Sequence, residues 1–272
     1  FRYNRLEYTF RIVLFTESFV SPSFVDLVFV GCKLHLRTRC LLFFLQNTIM
    51  DTYTLVFVSL VFLFSGAYLY LRFYDPVLLC QWTFNLERVY EYDNLLTPQE
   101  CQLLIQRATP LIKRSDVSSE EKYDKIRTSS HVFLPTDDPV TRKIDSIVYH
   151  TLGIPPSHYE DLQVVNYKST QKYGEHWDAC IEGDICQKEL ERFGSHRYAT
   201  FLIYLNEGFE GGETDFPKKN KQVKPMTGKG ALFFNLNNTY DNIRETSLHA
   251  GLPPKTGEKW MCNKWIRVKP IL

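Results

Sequence analysis

The stretch Tyr173-Gly-Glu-His-Trp-Asp178 decides how this chain is read. It holds a His-x-Asp pair, His176 and Asp178. Along a strand, side chains two positions apart leave the same face, so the pair presents an imidazole and a carboxylate side by side. A second histidine, His249, stands in Ser247-Leu-His-Ala-Gly251, and Lys259 follows ten residues later in Gly257-Glu-Lys-Trp260. Two histidines and one carboxylate on one face of a metal, with the opposite face open, form the ligand set of mononuclear non-haem Fe(II). For the three to meet, the strand carrying His249 must lie beside the one carrying His176. A lone His-x-Asp triplet is more often a surface feature or a satisfied polar pair, so the surrounding sequence has to agree with it.

That sequence predicts β-structure around the motif. Residues 162–167, 198–205, 230–235 and 259–268 read as strands, and turn segments such as Glu210-Gly-Gly-Glu-Thr214 separate them. Several short strands without βαβ alternation predict a mainly β fold with flanking helices, a sandwich or jelly roll. Two helices precede the strands. Thr97-Pro-Gln-Glu100 has the form of a capping box with proline at the first helical position, and Leu104, Ala108 and Leu111 give it an apolar stripe. Asp138-Pro139 opens the second, whose apolar face is Ile144, Ile147, Val148 and Leu152.

The chain has 272 residues, enough for one domain with a substantial core and appendages. A net charge of +1 gives no electrostatic case for a nucleic-acid partner. Seven cysteines show no Cys-x-x-Cys spacing. Cys180 and Cys186 are close enough to bridge across a loop and equally compatible with two free thiols.

The sequence begins with Phe1, and its first methionine is Met50. Residues 1–49 show no clear period or turn chemistry and read as a translated upstream region or a fragment foreign to the natural protein, with a genuine amphipathic extension as the alternative. Residues 53–71 carry no charge. That length suits a membrane-spanning helix, with Tyr53, Tyr68 and Tyr70 near its ends. The expectation is a signal-anchor over 50–74, a linker over 75–90 and a catalytic domain over 91–272. A buried core helix is the alternative for the apolar stretch. An anchored domain is expected in the endoplasmic reticulum or secretory lumen, as a single-pass type II protein. Asn237-Asn-Thr239, a glycosylation sequon, points the same way.

From about Asp93 onward the sequence resembles the prolyl 4-hydroxylases, within the Fe(II)- and 2-oxoglutarate-dependent dioxygenases. The resemblance rests on Leu162-Gln-Val-Val-Asn-Tyr167, Tyr173-Gly-Glu-His-Trp-Asp178, Arg197-Tyr-Ala-Thr-Phe-Leu-Ile-Tyr-Leu205 and Gly211-Gly-Glu-Thr-Asp-Phe-Pro217. It continues through Lys224-Pro-Met-Thr-Gly-Lys-Gly-Ala-Leu-Phe-Phe234, Leu248-His-Ala-Gly-Leu-Pro-Pro254 and Gly257-Glu-Lys-Trp-Met-Cys-Asn-Lys-Trp265. It implies a double-stranded β-helix, or jelly roll. It assigns His176, Asp178 and His249 to iron, and Lys259 to the distal carboxylate of 2-oxoglutarate. Tyr167 and Thr200 are expected to support that co-substrate. Arg127, Ser129, Glu160 and Trp265 are expected near a proline-rich or collagen-like peptide. Dioxygen and ascorbate complete the implied cofactors, and succinate and carbon dioxide leave. The segment after Asp178, Ala-Cys-Ile-Glu-Gly-Asp-Ile-Cys186, and the loop around Tyr240-Asp-Asn-Ile-Arg244 depart from the family pattern. Both are expected at the substrate entrance.

Three other readings share some of these residues. The same iron chemistry could act on lysine or a free amino acid. A zinc hydrolase could use two His and one Asp, but Lys259 would have no role in it. A non-catalytic module could bind Pro-rich peptides, but would not need all four residues. Oligomeric state is not encoded in any feature found.

Overall fold

A computed structural model describes residues 52–114 and 127–271; the extension expected over 1–49 lies outside the described residues. Helix α1, Thr52–Tyr74, is 23 residues long. At 1.5 Å per residue it reaches about 34 Å, more than the ~30 Å hydrocarbon core of a bilayer. None of its apolar window, Tyr53–Tyr70, is buried, which argues against the core-helix alternative.

Helix α2, Pro76–Thr83, starts at Asp75, whose side chain accepts from the Leu78 amide. Val77 and Cys80 are each only 1% exposed and belong to the main core. The stretch expected to be a linker is therefore packed into the domain. Strand β1 is Tyr90–Tyr92. Helix α3, Pro98–Ala108, has the full capping box: the Thr97 hydroxyl accepts from the Glu100 amide and the Glu100 carboxylate from the Thr97 amide. Leu104 and Ala108 are buried, but the helix stops at Ala108 and Leu111 is exposed beyond it. After β2 (Lys113–Arg114) and β3 (Ser130–Leu134) comes α4, Pro139–Leu152. Asp138 caps it, and Gly153 ends it in the left-handed region at φ 73°.

The remaining elements are β4 (Leu162–Lys168), β5 (Tyr173–His176), α5 (Asp184–Phe193), β6 (Arg197–Tyr204), β7 (Thr214–Phe216), β8 (Lys221–Val223), β9 (Gly230–Phe234), β10 (His249–Gly251) and β11 (Glu258–Arg267). They form a larger sheet in the order β1-β9-β6-β11-β4-β3-β2 and a smaller one in the order β5-β10-β7-β8. The pairings are antiparallel throughout. This is a mainly β architecture with flanking helices, consistent with a jelly-roll oxygenase fold.

The two-residue period sorts the larger sheet's side chains onto two faces. Leu162, Val164, Phe201, Ile203, Leu232, Cys262 and Ile266 pack with Leu104, Ile144 and Val148 of the helices. Val165, Leu202, Tyr204, Phe233 and Met261 pack with Phe216 and Val223 of the smaller sheet. The active-site candidates lie between the sheets, on that second face.

One irregularity matters for the site. β6 and β11 pair Ala199 with Ile266 and then Arg197 with Arg267, so Tyr198 is an extra residue in the ladder. Such a bulge switches which face the preceding side chain occupies. It turns Arg197 toward Trp265 instead of the helices. Beyond Asp178 the chain runs into α5, and Cys180 is disulfide-bonded to Cys186 with Cα atoms 5.5 Å apart.

Candidate active site

His176 ends β5 and His249 begins β10, and the two are direct partners in the antiparallel register. Cross-strand partners lie about 4.5–5.5 Å apart at Cβ, so the pairing itself brings the imidazoles together. Their ring centroids are 4.2 Å apart. Asp178 follows two residues after His176. Its Oδ1 lies 3.6 Å from His176 Nε2, and its Oδ2 lies 3.7 Å from His249 Nε2. One ligand atom from each of the three lies within 4.8 Å of the others.

Hydrogen bonds fix which atom each residue presents. His176 Nδ1 donates to the Gly174 carbonyl at 2.8 Å and His249 Nδ1 to the Ser247 carbonyl at 2.9 Å. Both Nε2 lone pairs are thereby left for a metal. Burial, with His176 alongside, pushes His249 down to about 4, so it is neutral near pH 7. Burial alone would raise the Asp178 carboxyl, but His249, His176 and the Thr200 hydroxyl outweigh it and hold the group far below the usual carboxylate range. Two imidazoles presenting Nε2 and one ionised carboxylate form the donor set of mononuclear non-haem Fe(II).

The hydroxyl of Thr200, a residue expected to support the co-substrate, donates to Asp178 Oδ2 at 2.7 Å and accepts from Asn235 Nδ2 at 2.9 Å. The Asn235–Thr200–Asp178 chain orients the carboxylate from behind. Tyr173 stacks on His176 at 3.4 Å between centroids, and the Arg127 guanidinium lies 4.7 Å over Tyr173. Arg127 Nε also lies 3.4 Å from Ser129 Oγ. Sequence reasoning gave no role to Asn235 or to the Tyr173 ring.

Lys259 is fully buried on β11, and among the described residues its Nζ has no hydrogen-bond partner. The ammonium sits 4.8 Å over the Tyr167 ring and 5.7 Å over the Tyr204 ring. Burial drives it down to about 7, which Glu213 only partly opposes. An uncompensated buried cation is costly, and its presence marks a place where an anion belongs. Two glycines make room here. Gly212 has φ +75°, and a Cβ there would lie 3.2 Å from Lys259 Cδ. A Cβ on Gly251 would lie 3.1 Å from the Tyr167 hydroxyl. Burial raises that phenol to about 12, so Tyr167 stays a neutral donor.

Glu160 and Trp265 form a separate group. Glu160 takes a two-pronged bond from Arg197, at 2.7 and 2.8 Å, and a third from Arg267 Nε at 2.8 Å. Its charge is thus committed to arginines, and the nearer of these reaches the site. The Arg197 guanidinium lies 3.7 Å over the Trp265 ring and donates to the Asp178 carbonyl at 3.3 Å. Trp265 in turn lines the same cavity as Asp178, His176, His249 and Tyr167. Arg197 had no expected role. The signal was an arginine opening an otherwise apolar strand, which needs a buried carboxylate partner.

Known proteins agree with this geometry. The 2OG-Fe(II) oxygenase superfamily model matches residues 162–267. An Acanthamoeba polyphaga mimivirus protein, named provisionally as a prolyl 4-hydroxylase, is 38% identical over 176 residues, covering 64% of this chain and 72% of its own length. Prolyl 4-hydroxylase 2 of Arabidopsis thaliana is 36% identical, covering 66% of this chain and 67% of its own. The crystal structure of the viral collagen prolyl hydroxylase vCPH from Paramecium Bursaria Chlorella virus-1, in its 2OG complex, superposes with a TM-score of 0.53 at 31% identity, covering 66% of this chain and 95% of the other. The class that fold and site define is a mononuclear Fe(II) oxygenase that uses 2-oxoglutarate. Within that class, this chain belongs to the prolyl 4-hydroxylase family.

Proposed function

We propose that this chain hydroxylates peptidyl proline at C4 in proline-rich or collagen-like peptides, with His176, Asp178 and His249 as the iron ligands and Lys259 as the counter-charge for 2-oxoglutarate. Bound iron, with 2-oxoglutarate and dioxygen, supplies the two-electron oxidation of a C–H bond, releasing succinate and carbon dioxide, and ascorbate keeps the metal ferrous. The observation that carries the reading is the pairing of a three-residue donor set with a buried ammonium that has no hydrogen-bond partner among the described residues and lies over Tyr167, which lines the same cavity. A zinc hydrolase accounts for the first and leaves the second without a purpose.

The protein's own residues divide the work. The two Nδ1–H bonds to backbone carbonyls hold both imidazoles in the tautomer that offers Nε2. Thr200 and Asn235 fix the Asp178 carboxylate. Lys259 draws the distal carboxylate of the co-substrate inward, where the Tyr167 hydroxyl can donate to it. Trp265, with Arg197 over it and Arg127 and Ser129 nearby, offers a rigid aromatic and cationic mouth. A proline-rich peptide is already extended as polyproline II and loses little entropy on docking there.

We also assign residues 75–272 to the catalytic domain, since Val77 and Cys80 belong to its core. Residues 50–74 are assigned to a signal-anchor placing that domain in the endoplasmic reticulum or secretory lumen. Support comes from the uncovered apolar surface of α1 and from the Cys180–Cys186 disulfide, a bond that persists in oxidising compartments.

The test supplies Fe(II), ascorbate and 2-oxoglutarate to the purified chain and follows succinate with and without a poly(L-proline) or collagen-like peptide. Peptide-dependent succinate, with one oxygen atom gained on proline, is expected. Succinate without peptide oxidation would remove the proline assignment.

A further inference from the structure

The segment after Asp178 departs from the family pattern, and the structure shows what it builds. Residues 184–193 form α5, of which Cys186 is the buried residue. The disulfide to Cys180 holds this helix beside the metal-ligand loop. Ile185, Lys188, Glu189 and Arg192 follow i, i+3, i+4, i+7 spacing, so they share one helix face. That face lines an open groove whose other wall includes Phe133 and Asp161 and whose floor includes Arg197.

The groove adjoins the active-site cavity through Trp265. Arg197 lies 3.7 Å over Trp265, and the Phe133 ring is 6.5 Å from that of Trp265. Trp265 itself lines the cavity with the three candidate ligands. A chain leaving the site past Trp265 therefore runs onto α5. From Ile185 to Arg192 the helix face is about 10 Å long at 1.5 Å per residue. At about 3.1 Å per residue, three residues of polyproline II cover that length.

The groove's free charge is positive. Glu189 lies 3.3 Å from Arg267 and 3.8 Å from Arg197, and Glu160 is committed to the same two arginines. Among the described residues Lys188 and Arg192 enter no ion pair, and both are exposed; Arg192 only lies against the Phe193 ring. Of the three carboxylates that line the groove, Asp161 is the one outside those arginine pairs. Ile185, 49% exposed, and Phe133, 45% exposed, add apolar contact.

We propose that the α5 groove is a substrate subsite that selects peptides carrying an acidic residue within about two to four positions of the target proline. This deepens the reading given above and rests on it. Lys188 and Arg192 meet the acidic side chain, while Ile185 and Phe133 cover the peptide's apolar surface between it and the proline. The disulfide keeps the helix in register with the site.

The test uses the full chain and three labelled proline-rich peptides, alike except for Glu, Gln or Lys at those flanking positions. Binding is read by fluorescence anisotropy without iron, and hydroxylation by mass. The expected ranking is Glu over Gln over Lys, with about a fivefold step in affinity that shrinks at high salt, as for exposed ion pairs. K188E/R192E is expected to invert the ranking, and K188Q/R192Q, which adds no negative charge to the helix, to flatten it. Equal binding of all three peptides, or a Glu preference unchanged in both variants, would overturn the proposal. If the Glu preference holds but no peptide gains oxygen, the proline reading fails and the groove stands. If oxygen is inserted at the same rate whatever the flanking charge and the anisotropy ranking is flat, the groove fails and the proline reading stands.

Discussion

Strand β11 carries two fully buried lysines five residues apart, and they live opposite lives. An odd separation puts them on opposite faces of the sheet. Lys264 points toward the helices, where its ammonium lies 2.7 Å from Asp145 and donates to the Glu160 carbonyl at 3.0 Å. Lys259 points between the sheets and has no hydrogen-bond partner among the described residues. Burial costs both the same kind of desolvation. Lys264 recovers it within the chain, so it is part of the architecture. Lys259 does not among the described residues, and in the proposed reading a bound carboxylate restores the balance. Burial alone therefore does not single out a lysine as functional; the proposed role of Lys259 rests on burial without a hydrogen-bond partner among the described residues.

The comparison predicts opposite consequences for matching substitutions, and the largest effect lies outside both lysines. His176→Ala removes one of three donors and should lower peptide-dependent turnover by on the order of a thousandfold or more, with an unchanged circular dichroism spectrum. Full activity with iron bound would dismiss the triad and, with it, any purpose for an unpaired Lys259. Next comes Lys264→Met. It strands Asp145 without its cation and should cost about 3–5 kcal/mol in urea unfolding. Lys259→Met should stabilise the apo protein in the same assay while raising the 2-oxoglutarate KM by about a hundredfold or more. If both variants destabilise equally, the two lysines are both structural and the distinction collapses.

Much of this was legible in the sequence, for identifiable reasons. The His-x-Asp pair fits the strand period, whereas the second histidine and Lys259, far downstream, were singled out by the resemblance to a known family and not by any local period. Both capping signals, at Thr97 and Asp138, were found where local chemistry sets the helix start. What escaped depends on long-range geometry. The bulge at Tyr198 cannot be read from an alternating pattern, and it is what turns Arg197 toward Trp265. Nothing local reveals that two arginines from distant strands hold Glu160. Thr200 was expected at the co-substrate, and only the fold shows its hydroxyl aimed at Asp178. Residues 75–90 read as a linker because α2 is short and its capping by Asp75 is unremarkable in sequence.

A pH titration sharpens the difference between the lysines further. Lys259 falls from 10.5 to about 7 in the folded chain because burial disfavours its charge. Between those values the unfolded chain binds the proton and the folded chain does not, so stability must rise with pH across that window. The penalty is fully present below pH 7 and absent above 10.5, with a span on the order of 4–5 kcal/mol. Urea midpoints from pH 7 to pH 9 should therefore climb in the apo protein. Saturating 2-oxoglutarate should flatten the climb by pairing the ammonium, and Lys259→Met should abolish it. A slope that survives in Lys259→Met belongs to another group.

The smallest expected effect concerns the chain behind the carboxylate, and it asks whether a satisfied polar group on the inner face is as structural as Lys264 is on the outer one. Thr200 is buried, donates to Asp178 and accepts from Asn235. Thr200→Val keeps the shape and deletes both bonds. A merely structural threonine would cost about 1–3 kcal/mol of folding stability, chiefly by leaving the Asn235 amide without its acceptor, and would leave metal affinity alone. A threonine that orients a ligand should also weaken Fe(II) binding by about tenfold, the low end for residues bonded to metal ligands. Measuring stability and iron affinity on the same variant separates the two. Asn235→Ala then serves as the control one step further back: it leaves the Thr200 hydroxyl free to donate to Asp178, so its effect on iron should be smaller than that of Thr200→Val. An Asn235 effect equal to that of Thr200→Val would mean that the two act as one unit, and that the carboxylate is held by the chain as a whole.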